Sequence, residues 1–282
     1  MSEDAVQGES ATALDPDEEK RVVEEESLNA ATTHEVIRRQ GRKELERTAA
    51  ALAWSGIAAG LSMGLSLVAQ AVISAAMPDS PHRAIVTSFG YSAGFLAVIL
   101  GSQQLFTENT LTPIVPFMTE RTPAMFGKVL KLWGVVLLAN LVGGLLFSEA
   151  IAHAQFLAPA ARDAADAIAR ESLEPSSRDL FIRAIGSGWM IALMVWMLPA
   201  AGGATPFVVV VMTWLVSAAG LPHVVVGSIE LFYLAARDLT SLPAGVIHYL
   251  LPVLAGNLLG GTTLVAALNH AQVATDSRAA TK

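Results

Sequence analysis

Apolar side chains fill long runs between about residue 49 and residue 268, whereas the first 48 residues mix acidic and basic side chains. A helix needs about 20 predominantly apolar residues to cross a bilayer. Six runs approach or exceed this length, at about 49–76, 85–118, 132–157, 181–199, 205–236 and 244–268. Segments with prolines or charged residues separate them. The pattern therefore predicts an all-α integral membrane protein with six transmembrane helices.

The charge pattern divides the chain into three parts. Residues 1–48 form a charged amino-terminal segment, in which 15–47 is typical of a solvated amphipathic helix that ends at the membrane. Residues 49–269 form the membrane domain, and 270–282 form a tail. Lysine and arginine gather before the first run and between the second and third, as in cytoplasmic loops. We expect both termini to be cytoplasmic and 158–180 to be the main external loop, with a short surface helix.

Two of the runs are too long for one span and are interrupted by polar residues. The second contains the polar stretch 101–110 followed by two prolines, and the fifth contains Gly-Leu-Pro-His at 220–223. Backbone that leaves a helix inside a bilayer must be buried in protein or line a water-filled cavity. The breaks occupy matching places in the two halves of the chain. The pattern predicts an inverted repeat with broken second and fifth helices, which places a transporter site near the bilayer midplane.

His223 lies at the break of the fifth run. An ionisable residue inside a membrane marks a functional site by default, and imidazole changes its charge near neutral pH. At the centre of a pore it could donate hydrogen bonds to an anion or pass a proton to it. The alternative is a neutral imidazole that satisfies backbone groups freed beside Pro222.

The break of the second run supplies Leu105, Phe106 and Thr107. The threonine hydroxyl can bind a small anion, together with loop N–H groups that carry partial positive charge. The two apolar side chains would form a constriction that excludes hydrated ions by dewetting. Glu108 follows directly, and a carboxylate at this depth is costly unless it meets water or a partner.

Asn140 and Asn257 stand at equivalent places in the two halves, each shortly before a pair of glycines. Each carboxamide could bond to the broken backbone nearby and support it, or it could contact the substrate. The paired glycines allow helices to approach closely. Glu149 and Glu230 also lie in or near the runs, where a carboxylate must meet water, a partner or the aqueous rim.

Composition excludes most other classes of protein. Hydrophobic residues make up 53% of the chain and charged residues 15%, with a mean hydropathy of +0.50, whereas soluble domains carry about 25% charged residues. A net charge of −7 without a basic face excludes a nucleic-acid binder. The sequence has no cysteine, no HExxH motif and no phosphate-binding loop. We expect a protein that is not an enzyme and that needs no metal or cofactor.

Four motifs resemble the formate/nitrite transporter family, in the family's order and spacing. Gln-Leu-Phe-Thr-Glu-Asn at 104–109 resembles the broken second helix, and Asn-Leu-Val-Gly-Gly at 140–144 resembles the third helix. Gly-Leu-Pro-His at 220–223 resembles the break of the fifth helix, and Gly-Asn-Leu-Leu-Gly-Gly at 256–261 resembles the sixth helix. The resemblance covers about 45–270.

The resemblance implies an aquaporin-like protomer of six helices, assembled as a homopentamer with one pore per subunit in the bacterial inner membrane. It implies passage of small monovalent anions such as formate or nitrite, with or without a proton. By the same resemblance Leu105, Phe106 and Thr107 match the family's cytoplasmic-side constriction and loop threonine. His223 matches the central histidine and Asn257 the asparagine of the sixth helix.

The resemblance further assigns three aromatic or apolar residues to constrictions. Tyr91 falls where an aromatic side chain narrows the cytoplasmic slit. Phe95 and Val216 fall at the apolar constriction on the external side.

The sequence departs from the family pattern at four places. Glu108 replaces a small hydroxyl residue after the loop threonine, and Gly227 and Gly188 replace asparagines of the fifth and fourth helices. The family's external lysine has no counterpart, and Arg170 or Arg178 could substitute for it. These departures concern the substrate rather than the fold.

We therefore expect transport of a small weak-acid anion through a pore in each protomer. Two other functions stay open. Glu108 and the missing lysine favour a channel for a small neutral or cationic solute. The charged amino-terminal segment would suit a membrane scaffold or sensor that does not transport.

Overall fold

The computed structural model of the protein describes residues 30–154 and 156–267, with side chains as far as Thr263. The predictions for residues 1–29 and for the tail 270–282 lie outside the described residues. Helices occupy most of the described chain, at α1 (Ala30–Glu46), α2 (Ala49–Ala76), α3 (Arg83–Leu100), α4 (Ile114–Glu120), α5 (Pro123–His153), α6 (Pro159–Leu173), α7 (Ser177–Ala201), α8 (Thr205–Ala218), α9 (Val224–Ala236) and α10 (242–267).

Five helical stretches of the described chain are long and apolar enough to cross a membrane, judged by length and composition. One of them, Ser177–Ala218, contains two helices, α7 and α8. The chain turns between them through Gly202–Ala204, where Gly202 adopts a φ of +48°. The half-helix α9 is too short to count as a span by itself. The all-α membrane fold predicted from the sequence is therefore confirmed.

The third span begins earlier than the hydropathy pattern predicts, at Pro123 rather than near 132. The Thr122 side chain accepts a hydrogen bond from the N–H of Met125 (3.2 Å), and Pro123 occupies the first helical turn. Both are favourable helix-start features. Lys128 and Lys131 lower the mean hydropathy of this first part of the helix, so the hydropathy pattern did not include it in the span.

Both predicted interruptions are present. Between α3 and α4 the α-helix is interrupted over 101–113, with a 3-10 turn at Glu108–Thr110. Between α8 and α9 the interruption covers 219–223, where Gly220 has a φ of +62° that favours glycine. The N–H groups after α8 bond back to its last carbonyl oxygens, which closes that helix end.

The two halves repeat one packing arrangement. Helix α2 packs along α5 in the first half, and α7 packs along α10 in the second. A Cβ atom added to Gly60 of α2 would collide with the carbonyl oxygen of Asn140, and one added to Gly188 of α7 would collide with that of Asn257. Glycine therefore allows the backbones to approach at equivalent places in each half.

Helix α1 packs against the first break instead of standing free in solvent. Ile37 is fully buried, and a Cβ atom at Gly41 would collide with the carbonyl oxygen of Thr112. Arg42 forms an ion pair with Glu120 at the end of α4. The prediction of a solvated helix is therefore wrong for the buried face of 30–46, because apolar positions on that face meet the bundle.

The other face of α1 carries paired charges. Hydrogen bonds from Arg38 and Arg39 lower the pKa of Glu35 to about 2. The carboxylate is consequently ionised at neutral pH, and its pairs stay on the exposed side of the helix.

Helix α6 lies at the opposite end of the bundle from α1, since α5 runs between the two ends over 31 residues, or about 46 Å. The sequence predicted a surface helix here, and a helix is present. One face of it is buried, because Ala161, Ala165 and Ala169 pack on α2 and α9. We refer to the two ends of the bundle as the α1 end and the α6 end.

Candidate functional site

The two broken helices meet at a hydrogen bond between their loops. Thr107 Oγ1 lies 2.7 Å from His223 Nε2, and both residues are at most 1% exposed. Residues 116 apart in sequence thus form one buried polar centre. Both residues stand out in the sequence, but their contact is visible only in the structure.

His223 also begins helix α9. Its Nδ1 atom accepts a hydrogen bond from the backbone N–H of Val226 (3.4 Å), as a helix-capping side chain does. A ring nitrogen that accepts a hydrogen bond carries no proton. In a neutral ring the proton is therefore on Nε2, and Nε2–H donates a hydrogen bond to Thr107 Oγ1. His223 therefore supports the backbone of α9 through Nδ1 and contacts the other break through Nε2.

Asn140 supports the first break. Its Oδ1 atom accepts from the N–H of Phe106 (2.9 Å), and its Nδ2 group donates to the carbonyl oxygens of Gln104 (2.8 Å) and Gly56 (2.9 Å). The side chain is fully buried. One carboxamide thus ties the loop to helix α2.

Asn257 supports the second break in the same way. Its Oδ1 atom accepts from the N–H of Val224 (2.8 Å), and its Nδ2 group donates to the carbonyl oxygens of Pro222 (3.2 Å) and Ala184 (2.9 Å). Ser187 adds a further bond, because its hydroxyl lies against the Pro222 carbonyl oxygen and 2.8 Å from Asn257 Nδ2. No sequence signal pointed to Ser187 as a support of the second break.

The predicted apolar constriction residues are buried. The Phe95 ring packs edge-on against the His223 ring, with centroids 5.1 Å apart, and Phe106 packs against Trp133 on the α1 side. Leu105, Phe95 and Val216 are fully buried. The apolar residues named for the dewetting hypothesis are therefore buried, and Phe95 contacts the polar centre directly.

A cavity of about 830 Å³ leads from the α6 end to His223. Charged and polar side chains line much of it, among them Arg83, Tyr91, Glu171, Arg183, Glu230 and Tyr249. The inner end of the cavity is formed by residues of the second break, Gly220, Leu221, Pro222 and His223.

Two predicted placements need correction. Tyr91 lines the α6-end cavity, whereas the resemblance had assigned it to the cytoplasmic slit. The reason is chain direction, because α3 begins at the α6 end and Tyr91 comes before Phe95 on the way to the break. Arg170 and Arg178 are not among the residues that line the cavity, and Arg83 and Arg183 supply its positive charge instead.

Glu108 lies on the α1 side of the centre. Its Oε1 atom is buried and has no hydrogen-bond partner among the described residues. The N–H of Thr112 bonds to the Glu108 carbonyl oxygen, and the Thr112 carbonyl oxygen lies against Gly41 of α1. The departure from the family pattern therefore puts a carboxyl group with one unpartnered oxygen close to the contact with the amino-terminal helix.

The glycine at 227 has a direct structural reason. A Cβ atom there would overlap the ring and hydroxyl of Tyr249 from α10, which fills the space next to α9. Tyr249 is buried and lines the cavity. The asparagine expected from the resemblance has no room while this tyrosine is present.

Comparison with known proteins identifies the relatives of this fold. The family model for the formate/nitrite transporter matches residues 31–271. The chain belongs to the formate/nitrite transporter family. The family resemblance predicted from four motifs is thus confirmed, and so is the expectation of a membrane transport protein rather than an enzyme.

Individual relatives agree with the family assignment. The chain is 41% identical to the inner membrane protein YfdC of Escherichia coli (strain K12) over 247 residues, covering 88% of this chain and 80% of the relative. A solved pentameric formate channel with formate bound matches with a TM-score of 0.65 at 19% identity, over 78% of this chain and 95% of that one. A solved FNT family ion channel matches with a TM-score of 0.68 at 19% identity, over 84% and 94%. These structures establish the shared fold.

Proposed function

We propose that this transporter carries a small monovalent weak-acid anion of the formate and nitrite class through a pore in each protomer, accompanied by a proton. The Thr107–His223 contact carries the proposal, because it joins both broken helices at a buried polar point at the foot of an open cavity. Family membership and the fold shared with a formate channel support the substrate class.

The pore path that we propose runs from the α6-end cavity past His223 and Thr107, and then between Leu105 and Phe106. Arg83 and Arg183 attract an anion into the cavity. Full desolvation of an anion between apolar side chains costs many kcal/mol, and protonation removes most of that cost. Asn140 and Asn257 hold the breaks in register, and Phe95 with Val216 excludes water beside the ring.

We further propose a homopentamer in the bacterial inner membrane, with both termini cytoplasmic. The pentameric formate channel of the same fold supports the assembly, and the inner membrane protein of Escherichia coli supports the location. The clustered basic residues at the α1 end favour its cytoplasmic placement.

Uptake into proteoliposomes tests the proposed function. Wild-type protein should take up radiolabelled formate or nitrite, and more rapidly when the outer solution is acidic. His223→Ala should abolish this uptake. His153→Ala is the matched control, because that histidine is exposed and pairs only with Glu149 among the described residues. Equal uptake by wild type and His223→Ala at every pH would contradict the proposed role of the ring.

A channel for a small neutral or cationic solute is the second candidate, and the buried Glu108 carboxyl oxygen without a hydrogen-bond partner among the described residues favours it. Liposome swelling with formate, a small neutral solute and a small cation separates the candidates. Swelling in the neutral solute alone, with no effect of pH, would favour the second candidate.

The scaffold hypothesis rests on the charged amino-terminal segment. A truncated chain that begins at Ala30 keeps α1 and all contacts of α1 with the first break that the structure describes. Transport should survive this truncation if the pore is the function.

A further inference from the structure

Glu230 carries a buried carboxyl group to which the proposed pore path assigns no role. It lies on α9, is 5% exposed and lines the cavity at the α6 end. His223, Gly227 and Glu230 follow one another at helical spacing on the cavity-facing side of α9. Seven residues of helix place the carboxyl about 10 Å from the ring, towards the cavity mouth.

The polar surroundings of Glu230 suit both a carboxyl and a carboxylate. No arginine, lysine or histidine of the described chain forms an ion pair with it. Ser172 of α6 lines the same cavity. A hydroxyl both donates and accepts, so a side chain of this kind can bond to a carboxyl group in either protonation state.

The charges that face Glu230 nearly cancel without it. The groups on the cavity wall are Arg83, Asp163, Glu171, Arg183 and the tyrosines Tyr91 and Tyr249. Arg83 also pairs with Asp79, so an ionised Glu230 would make the cavity more negative and repel an anion. Just after α9, Arg237 pairs with Asp166 of α6, and on α5 His153 pairs with Glu149. A proton on Glu230 therefore lowers the negative charge that an incoming anion meets.

His223 is poorly placed to be the proton source for that anion. Its Nδ1 atom accepts from Val226 N–H, and its Nε2 proton is engaged by Thr107. Releasing the Nε2 proton would leave an anionic ring in a buried site. A proton delivered to the substrate in the cavity must come from another group.

We propose that Glu230 is the proton-exchange residue of the α6-end cavity, which makes the transporter selective for anions of weak acids. The O–H bond of the Glu230 carboxyl breaks as an O–H bond forms on the anion oxygen. The neutral acid moves on towards His223, and the remaining carboxylate takes up a proton from cavity water. This inference rests on the proposed function and adds to it the residue that supplies the proton.

The test compares Glu230→Gln with Glu171→Gln in proteoliposomes that contain a pH-sensitive dye. Glutamine keeps the shape and hydrogen-bonding capacity of glutamate but exchanges no proton. Glu171 lines the same cavity and is exposed, so its variant controls for a change of cavity charge. Formate uptake and the accompanying acidification should fall by about 100-fold in Glu230→Gln, the lower end of what a positioned proton donor contributes. Glu171→Gln removes a negative charge from the cavity wall, so formate uptake by this variant should not fall below the wild-type rate.

Glu230→Asp supplies the rescue, because it restores an exchangeable proton at nearly the same place and should recover part of the rate. Size-exclusion elution at the wild-type position shows that each variant is folded. Wild-type-like uptake and acidification by folded Glu230→Gln would overturn this inference alone. Absence of formate and nitrite uptake in wild type would overturn the proposed function and this inference together.

Discussion

At the scale of single residues, the two ring nitrogens of His223 form two different hydrogen bonds. Nδ1 caps helix α9, and Nε2 links the two breaks through Thr107. An alanine substitution removes both contacts, so it does not distinguish a loss of stability from a loss of transport. A side chain that caps α9 but does not reach Thr107 separates the two effects.

His223→Asn makes this separation. Asparagine is among the best helix-capping residues, but its shorter side chain does not reach Thr107 Oγ1. We expect the free energy of unfolding to stay within about 1 kcal/mol of wild type, while formate uptake falls to background. Thermal unfolding in detergent and uptake into proteoliposomes measure the two properties. Normal uptake by this variant would show that the link to Thr107 is dispensable.

Asn257 is a structural residue by its contacts, and its removal should affect stability first. Asn257→Leu keeps a similar volume but leaves the Val224 N–H without its partner and removes one of the two side-chain hydrogen bonds to the Pro222 carbonyl oxygen. A buried unpaired group costs about 1–3 kcal/mol, so we expect a loss of about 1–3 kcal/mol in the free energy of unfolding. Denaturation in detergent measures it. Leu259→Met, at an exposed position on the same helix, is the control, and equal midpoints for the two variants would contradict the assignment.

At the scale of secondary-structure elements, two contacts between helices explain features that sequence alone leaves open. Helix α1 is held against the first break through Gly41, and α10 is held against α9 through Gly227. In both cases a glycine accommodates an atom of the neighbouring element. Each contact can be opened by adding a Cβ atom.

Gly41→Ala should detach α1 from the break. The added Cβ atom would collide with the carbonyl oxygen of Thr112, which belongs to backbone that cannot rotate away. Limited proteolysis within 30–46 should then become faster, while the membrane bundle stays intact. Gly127→Ala is the matched control, because nothing lies within 4 Å of a Cβ atom there. Equal cleavage rates for both variants would mean that α1 does not dock through this contact.

Gly227→Asn introduces the residue expected from the family resemblance. We expect this variant to be unstable, because the new side chain and the Tyr249 ring would occupy the same space. Overpacking of this kind costs about 1–3 kcal/mol. The double variant Gly227→Asn with Tyr249→Ala should recover stability, and thermal unfolding of the two single variants and the double variant measures the coupling. Additive effects in this cycle would argue against a direct contact.

At the scale of the whole molecule, we predict that the α1 end of the bundle faces the cytoplasm. The natural chain has no cysteine, so single cysteines report position without a background. Ser80→Cys lies in the exposed loop after α2, and Lys128→Cys lies near the start of α5 at the other end. In intact cells whose outer membrane has been permeabilised, a membrane-impermeant maleimide should label Ser80→Cys only. Labelling of Lys128→Cys before lysis would reverse the proposed orientation.

The sequence by itself determined the class of the molecule and the positions of its breaks. Apolar runs of about 20 residues are typical of membrane-spanning helices. Their lengths therefore predicted the spans, although the third span begins earlier than its apolar run. The polar interruptions at 101–110 and 220–223 signalled buried backbone, since exposed backbone in lipid is too costly. Thr107 and His223 stood out for the same reason.

Tertiary structure alone decided what these residues touch. The bond between Thr107 and His223 joins distant parts of the chain, so no local pattern encodes it. Likewise, the cavity that exposes Glu230 and Arg183 exists only because α6 and α9 pack beside it. The hydrophobic effect depends on the apolar surface of each side chain, so the sequence indicates which segments avoid water. Which residues come into contact depends on how the helices pack against one another, and packing is a property of the tertiary structure.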